Sequence, residues 1–256
     1  MQADAPAIEA RNLSKRFGDI IAVNNLNLRI ERGATYALLG PNGAGKTTTV
    51  RILNGLIEPT SGVARVLGMD IRNEKESIKL VSGFLPESPG LYTKLTAYEF
   101  LEFIGELYGV PKQTLVARIE DLLSLFELSD RADQLLENYS RGMKQKVCLA
   151  STLVPDPSIL FLDEPTSNLD PASTRMVKGL IKELSKSAEK TIFICTHLLP
   201  IAEELCDKIG FINNGIRVME GSVSEIIERV QAKDLEDAYM KVMEIQDKSD
   251  FLGWRG

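Results

Sequence analysis

A run of nine residues, 40–48, restricts the fold of this chain more than any other part of the sequence. It reads Gly-Pro-Asn-Gly-Ala-Gly-Lys-Thr-Thr and fits G-x-x-x-x-G-K-[ST], a pattern that binds phosphate where a strand precedes it and a helix follows. The apolar run Thr35–Leu39 comes directly before it, and Val50 and Leu53 follow at helical spacing. This context argues against a glycine-rich turn that matches by chance, and it predicts a strand, a phosphate-binding loop and a helix in succession.

Each residue type in this loop has a physical task. The glycines let the backbone bend tightly and bring its N–H groups against phosphate oxygens, and the helix that begins near Lys46 adds its partial positive end. The Lys46 side chain reaches the outer phosphates as a compact charge, and the Thr47 hydroxyl is a ligand for Mg²⁺. The predicted phosphate-binding residues are Gly40, Pro41, Asn42, Gly43, Ala44, Gly45, Lys46, Thr47 and Thr48.

The composition and charge exclude several classes of protein. The chain has 256 residues, of which 44% are hydrophobic and 26% charged, as is ordinary for one large or two small globular domains. No apolar stretch of about 18 residues predicts a membrane span, and the N-terminus lacks the basic and apolar regions of a signal peptide. The net charge of -6 argues against a broad nucleic-acid surface. We therefore expect a cytoplasmic chain without a nucleic-acid partner.

The order of the patterns predicts an α/β fold. Strand-like runs fill much of the first 40 residues, and residues 62–71 suit a short hairpin. An all-helical block of about residues 90–154 follows, with a capping box at Thr96 and Glu99. Phe100, Phe103 and Leu107 are assigned to one apolar face of its first helix. Continuous apolar runs at 159–162 and 191–195 then suit buried parallel strands, and Asn-Asn-Gly at 213–215 suits a hairpin.

Candidate catalytic groups follow the two buried runs. Asp163 and Glu164 come directly after the first run, and His197 comes two residues after the second. The carboxyl ends of parallel strands form the edge where ligands bind. Asp163 is therefore placed to hold Mg²⁺, Glu164 to accept a proton from an attacking water, and His197, the only histidine, to hydrogen-bond the terminal phosphate.

A second anion site is predicted at Ser140 and Gly142, at the N-terminus of the last helix of the block. Taken alone, these residues are better explained as a serine N-cap with a flexible glycine, but together with the other motifs they favour the anion site. One nucleotide cannot occupy two distant sites in one chain. Two chains arranged head to tail could present the first site of each to the second site of the other.

The ordered motifs resemble the nucleotide-binding subunit of an ATP-binding-cassette (ABC) transporter over about residues 8–220. The resemblance rests on residues 40–48, 139–143, 159–164, 167–170 and His197. It implies a P-loop NTPase, RecA-like core with a mostly parallel sheet, an antiparallel β subdomain and an inserted helical subdomain. We predict an ATPase domain over 1–230 and a C-terminal helical tail over 231–256, for which a solvated helix is preferred over an accessory dimer contact.

The resemblance also implies the ligands and partners. ATP and Mg²⁺ are the expected cofactors, and Phe17 matches the aromatic residue that stacks on adenine, although a core phenylalanine near a turn suits it equally. Lys46, Glu164 and His197 are the implied catalytic residues. The expected assembly is a homodimer through the nucleotide sites that powers a separate transmembrane permease for export, at the inner face of the cell membrane.

Three positions depart from the family pattern. Glu87 stands where most members have glutamine, and a carboxylate there still suits Mg²⁺ or its water. Arg141 and Met143 replace a glycine and a glutamine, while Ser140 and Gly142 are kept. With the tail Leu235-Glu-Asp-Ala-Tyr239, these variants resemble the ABC-2 branch. The predicted metal ligands are thus Thr47, Asp163 and Glu87.

Three other functions compete with transport. A soluble ABC protein that remodels ribosomes or DNA usually carries two cassettes or long coiled coils, neither of which this sequence shows. A small-molecule P-loop kinase would explain residues 40–48 but leaves Ser140, Gly142 and His197 without a task. A regulatory ATP-binding module without turnover is disfavoured by the presence of Glu164.

Overall fold

The structure, a computed structural model, describes residues 5–88 and 90–251, with side chains described up to residue 243. Residues 1–4 of the predicted ATPase domain and 252–256 of the predicted tail lie outside the described residues. The strands are β1 (Ile8–Phe17), β2 (Ile20–Ile30), β3 (Thr35–Leu39), β4 (Ser61–Val66), β5 (Met69–Asp70), β6 (Ser82–Leu85), β7 (Ile159–Asp163), β8 (Thr191–Thr196), β9 (Lys208–Asn213) and β10 (Ile216–Gly221).

The helices alternate with these strands around the sheet and also form a separate group between β6 and β7. They are α1 (Lys46–Leu53), α2 (Lys75–Val81), α3 (Ala97–Leu107), α4 (Lys112–Leu125), α5 (Arg141–Leu153), α6 (Pro171–Lys186), α7 (Leu199–Leu205), α8 (Val223–Arg229) and α9 (Leu235–Phe251). Within the described ranges, no helix combines the length and the apolar character that crossing a bilayer requires.

A six-stranded sheet in the order β10-β9-β3-β8-β7-β6 forms the centre of the fold. Its strands are parallel except for β10, which pairs antiparallel with β9 through the predicted hairpin. Every residue of β3, β7 and β8 is buried, as the continuous apolar runs predicted. The phosphate-binding loop, Asp163 and His197 therefore all emerge at the carboxyl edge of neighbouring strands.

A second sheet, β2-β1-β4-β5, is antiparallel throughout. Along β2, Leu26, Leu28 and Ile30 are buried while Asn27 and Arg29 are exposed. This alternation is typical of a sheet with one face on the core and one in water. The central sheet and this antiparallel sheet together give the predicted α/β architecture.

The predicted helical block corresponds to α3, α4 and α5. Thr96 caps α3 as predicted, because its side chain accepts from the Glu99 N–H while the Glu99 carboxylate accepts from the Thr96 N–H. Phe100, Phe103 and Leu107 lie at helical spacing on α3, but only Phe100 is buried, while Phe103 and Leu107 are exposed. The buried face of α3 also includes Leu101 and Gly105, and a side chain at Gly105 would collide with Leu115 of α4.

The described part of the tail packs on the core. Leu235, Ala238 and Val242 of α9 are buried in one apolar cluster with Phe211 of β9, and the rings of Tyr239 and Phe211 meet edge to face at 5.3 Å. The expectation of a solvated helix is therefore wrong for residues 235–243, because an apolar stripe on α9 covers the outer face of β9.

Candidate functional site

The phosphate-binding loop joins β3 to α1, and two of its glycines have no room for a side chain. A Cβ at Gly40 would lie 2.2 Å from the Ile212 carbonyl oxygen, and one at Gly45 would lie 2.3 Å from that of Ala22. Gly45 also has φ 106, a backbone conformation that side chains disfavour. The loop is thus pressed between β2 and β9, and the requirement for glycine is steric at both positions.

The N-terminus of α1 opens into this loop. Gly45 is the N-cap of α1. Because glycine has no side chain, no side-chain cap accepts a hydrogen bond from the first N–H groups of the helix. These donors and the partial positive end of the helix suit an anion. The buried Lys46 ammonium donates to the carbonyl oxygens of Gly40 at 2.7 Å and Pro41 at 3.0 Å, which holds the cation inside the loop.

The end of β7 brings an acid to the start of α1. The Thr47 hydroxyl donates to Oδ2 of Asp163 at 2.7 Å, although 116 residues separate them in sequence. Burial raises the pKa of Asp163 above its ordinary value, and the charges of Glu87 and Glu164 act in the same direction, while the Thr47 hydrogen bond and Lys46 oppose them. A bound cation would relieve the crowding of these carboxylates.

Glu164 is buried and is held by the end of β8. Its Oε2 accepts from the Thr196 hydroxyl at 2.8 Å, and its Oε1 accepts from the His197 backbone N–H at 3.0 Å. The His197 ring Nδ1 also lies 2.7 Å from Oε1. These contacts fix the carboxylate of Glu164 against the imidazole, which leaves the other ring nitrogen of His197 for a ligand.

Most of the predicted site residues line one cavity. It has a volume of about 350 Å³, which suits a small ligand. Its lining comprises Ala22, Asn42, Gly43, Ala44, Gly45, Lys46, Thr47, Thr48, Glu87, Asp163 and Glu164. A larger cavity of about 620 Å³, which includes Ser158 and Thr191 in its lining, lies at the opposite edge of the sheet, where the parallel strands begin.

The remaining predicted residues lie outside that lining. Ser140 is the N-cap of α5 and accepts from the Met143 N–H, and Gly142 faces the Asn168 carbonyl, which a Cβ would approach to 3.1 Å. Phe17, at the end of β1, is 48% exposed, so it is not the core residue that was the alternative interpretation. The Lys15 ammonium lies 4.9 Å from the Phe17 ring centroid.

Sequence reasoning missed two contributors to this site. Thr196 anchors Glu164, and Ala22 on β2 lines the cavity. The position of Thr196 at the end of a buried strand, next to His197, was a usable signal for the first. Nothing in the local sequence marks Ala22, whose place depends on how the two sheets pack.

The comparisons with known proteins agree with this geometry. A family model described as ABC transporter matches residues 23–167. The ABC transporter ATP-binding protein NatA of Bacillus subtilis is 36% identical over 238 residues, which cover 91% of this chain and 96% of that protein. A Nod factor export ATP-binding protein I of Cupriavidus metallidurans is 35% identical over 232 residues, covering 91% and 76%.

A solved structure gives the corresponding fold. It is a dimeric ATP-binding cassette in a post-hydrolysis state bound to ADP and phosphate, and its TM-score with this chain is 0.79 at 26% identity, covering 84% of this chain and 98% of the other. The predicted fold class and ATPase activity are confirmed by these similarities. This chain belongs to the ABC transporter family and is an ATP-binding, ATP-hydrolysing subunit.

Proposed function

We propose that two copies of this chain bind two ATP molecules between them, head to tail, and drive export through a separate membrane subunit at the inner face of the cell membrane. The observation that carries the proposal is the meeting of Thr47, Asp163 and Glu164 beside the Lys46 loop, with the Thr47 and Asp163 oxygens 2.7 Å apart. A phosphate-binding loop, a hydroxyl–carboxylate pair and a buried base are the parts that ATP hydrolysis requires.

The metal ligands in this proposal are Thr47, Asp163 and Glu87. All three line one cavity, and their oxygens are of the kind that Mg²⁺ prefers. No group of three or more His, Cys, Asp or Glu side chains in the described ranges is arranged to hold a metal alone, and the Thr47 hydroxyl would add an oxygen ligand to the Asp163 and Glu87 carboxylates. When bound, Mg²⁺ neutralises charge on the outer phosphates.

The catalytic roles follow from the hydrogen bonds. Glu164 takes the proton of the attacking water, and its contacts with Thr196 and His197 keep the carboxylate in one orientation. His197 uses its remaining ring nitrogen to contact the terminal phosphate. Lys46 leaves the Gly40 and Pro41 carbonyls to stabilise the negative charge that develops on the phosphoryl oxygens.

The second copy completes the pocket. Ser140 and Gly142 lie outside the cavity that Lys46 and Asp163 line, so we assign them to the terminal phosphate of the partner's ATP. The exposed Phe17 ring stacks on adenine at the outer end of the phosphate-binding loop.

The helical block offers a docking face for the membrane subunit. Tyr92, Phe103 and Leu107 expose 59%, 41% and 66% of their surface, and the rings of Tyr92 and Phe103 meet edge to face at 5.6 Å. Exposed apolar groups of this size favour a protein contact. We therefore place the permease on the segment from Glu87 through α3, and crosslinks confined to the tail would contradict that placement.

The direction of transport is inferred from a relative. One similar protein is named as an export subunit, and Arg141, Met143 and Glu87 suit the same branch. The cargo is set by the membrane subunit, so its class is not part of the proposal.

The variant Glu164→Gln tests the ATPase mechanism. Glutamine keeps the size of the side chain but cannot accept a proton, so hydrolysis should fall by about 10²–10⁴-fold while ATP affinity stays. The uncleaved nucleotide should then hold two copies together. Phosphate release and sedimentation in the presence of Mg-ATP measure the two effects.

The matched control is Glu189→Gln, a surface position in the turn before β8. This variant should hydrolyse ATP like the unaltered chain and should not accumulate a dimer. Unchanged turnover in Glu164→Gln would remove Glu164 from the role of base. An ATP-bound monomer in Glu164→Gln would instead contradict the head-to-tail arrangement.

A further inference from the structure

Gln145 has a buried amide without hydrogen bonds. The residue is 1% exposed, and neither its Nε2 nor its Oε1 has a partner among the described residues. No other buried side-chain nitrogen or oxygen in the described part of the chain is left in this state. A buried amide without partners costs free energy, so its presence needs an explanation.

The position of Gln145 on α5 connects it with the second anion site. Four residues of α5 share one face of the helix because of their spacing along the chain. They are Gly142, Gln145, Leu149 and Thr152. At one end of this face, Gly142 lies against the carbonyl of Asn168, and at the other end the Thr152 carbonyl lies against Gly83 of β6. Gln145 thus lies between the loop after β7 and the strand that leads to Glu87.

Two loops continue from these contacts into the proposed nucleotide site. Residues 86–88 follow β6 and carry Glu87, which lines the cavity with Asp163. Residues 166–169 follow Glu164, and Leu169 packs against the same apolar cluster as Leu85 and Val147. Both loops offer backbone N–H and C=O groups, which are the natural partners of an amide.

We propose that Gln145 is a positioning residue of the ATP-bound dimer, whose amide gains backbone hydrogen bonds from residues 86–88 and 166–169 when two copies close around ATP. The inference rests on the proposed head-to-tail closure. Within the described part of the single chain the amide is unpaired, so a closure that brings backbone partners to it is favoured. In the closed dimer the hydrogen bonds of the Gln145 amide hold the N-terminus of α5, where Ser140 lies, in a fixed position relative to the loop that carries Glu87.

This role predicts effects of opposite sign in the two states. Gln145→Met keeps the length of the side chain and removes both polar atoms, so it relieves the unpaired amide in the free chain. The melting temperature without nucleotide should rise by about 2–4 °C, the shift expected for a modest gain in a chain of this size. ATP-driven dimerisation should weaken by about tenfold, because the closing hydrogen bonds are lost.

The experiment measures both quantities in a Glu164→Gln background, which prevents turnover. Sedimentation at increasing protein concentration with Mg-ATP gives the dimer affinity, and thermal unfolding without nucleotide gives the melting temperature. Hydrogen exchange on the Gln145 chain should show ATP-dependent protection of 86–88 and 166–169, which Gln145→Met loses. Gln113→Met is the control, because Gln113 is exposed on α4 and should change neither quantity.

Two results would overturn the role of Gln145. A lower melting temperature shows that the amide supports the free fold, and an unchanged dimer affinity shows that closure does not use it. The second variant Gln145→Leu separates loss of the amide from an effect of methionine and should behave in the same way. If the Gln145 chain itself fails to dimerise with ATP, the proposed function fails instead, before any variant is compared.

Discussion

At the scale of single residues, the chemistry of this site depends on how closely its carboxylates are packed. Asp163, Glu164 and Glu87 line one cavity beside Lys46. Burial is the largest cause of the raised pKa of Asp163, and the charge of Glu87 adds to it. The carboxylate at 87 therefore repels phosphate in the absence of a cation and attracts a cation when one is available.

The variant Glu87→Gln tests this balance. Removing one negative charge should strengthen binding of metal-free ATP by several-fold, because one charge at this range is worth about 1 kcal/mol. The gain in affinity on adding Mg²⁺ should become smaller, since one anionic ligand is lost. Titration with a fluorescent ATP analogue, in chelator and in excess Mg²⁺, measures both.

The control for this substitution is Glu74→Gln, before α2 and outside the cavity lining. It should leave both affinities unchanged. Equal Mg²⁺ dependence in the Glu87→Gln variant and the unaltered chain would show that Glu87 does not contact the ion.

Sequence patterns predicted the separate parts of the site but not all contacts between them. The meeting of Lys46, Thr47 and Asp163 in one cavity was expected from the motif and from the carboxyl edge of a parallel sheet. The hydrogen bond from the Thr196 hydroxyl to the Glu164 carboxylate depends on the register of β7 against β8, in which Asp163 pairs with Cys195. Local sequence does not encode such a register, because it is set by how both strands pack with their helices.

At the scale of elements, salt bridges hold α6 against α7. Both Lys178 and Lys182 of α6 lie 2.8 Å from carboxylate oxygens of Glu204 on α7. Hydrogen bonds to Lys178 and Lys182 lower the pKa of Glu204 from 4.5 to about 2. Since α7 begins two residues after His197, these bridges fix the helix that leads away from this histidine.

The pH dependence of stability tests this contact. A carboxyl group with a lowered pKa in the folded state stabilises the fold above its unfolded pKa, and the effect is lost as pH falls toward the folded pKa. Glu204→Gln should lower the free energy of unfolding at neutral pH by less than about 1 kcal/mol, because the pair is partly exposed and screened. The difference between variant and parent should shrink as pH falls from 4.5 toward 2.

Urea unfolding at a series of pH values measures that difference. Glu203→Gln is the matched control, since Glu203 is exposed on the same helix and should give no pH-dependent difference. A constant difference across the acid range would show that the Glu204 charge contributes nothing beyond packing.

The elements show where local patterns were sufficient. The capping box at Thr96 and the N-cap Asp170 before α6 were predictable, because each uses hydrogen bonds within four residues. The buried face of α3 was not, because it includes Gly105, which allows Leu115 of α4 to approach closely. A hydrophobicity pattern gives no weight to a glycine, so it assigns the apolar face of a helix to the largest apolar side chains.

At the scale of the whole molecule, we assign the Lys46 loop and the Ser140 helix end of one chain to two different pockets, as one half of each. The Lys46 loop and the Ser140 helix end do not share a cavity in the described structure. If each half works with the other half of a second copy, two differently damaged chains should complement each other.

Mixing the variants Lys46→Ala and Ser140→Ala tests this arrangement. Each variant alone should be nearly inactive, because every pocket in its dimer lacks one half. A one-to-one mixture should recover about a quarter of the original ATPase activity, since half of the random dimers are mixed and each has one complete pocket. Phosphate release after mixing at micromolar and nanomolar protein measures the recovery and its loss on dilution.

A second mixture serves as the control. Lys46→Ala mixed with Lys46→Ala,Ser140→Ala should stay inactive, because no pair of these chains forms a complete pocket. Full turnover by a dilute monomer, or no recovery on mixing, would contradict composite pockets.

The contacts of Lys46 have a consequence for which anions the loop accepts. Its ammonium already donates hydrogen bonds to the carbonyl oxygens of Gly40 and Pro41. A ligand that binds this ammonium must therefore replace two hydrogen bonds. A chain of phosphate oxygens can replace both hydrogen bonds at once, which a single chloride cannot do. We therefore expect the loop to favour a polyphosphate over singly charged small ions.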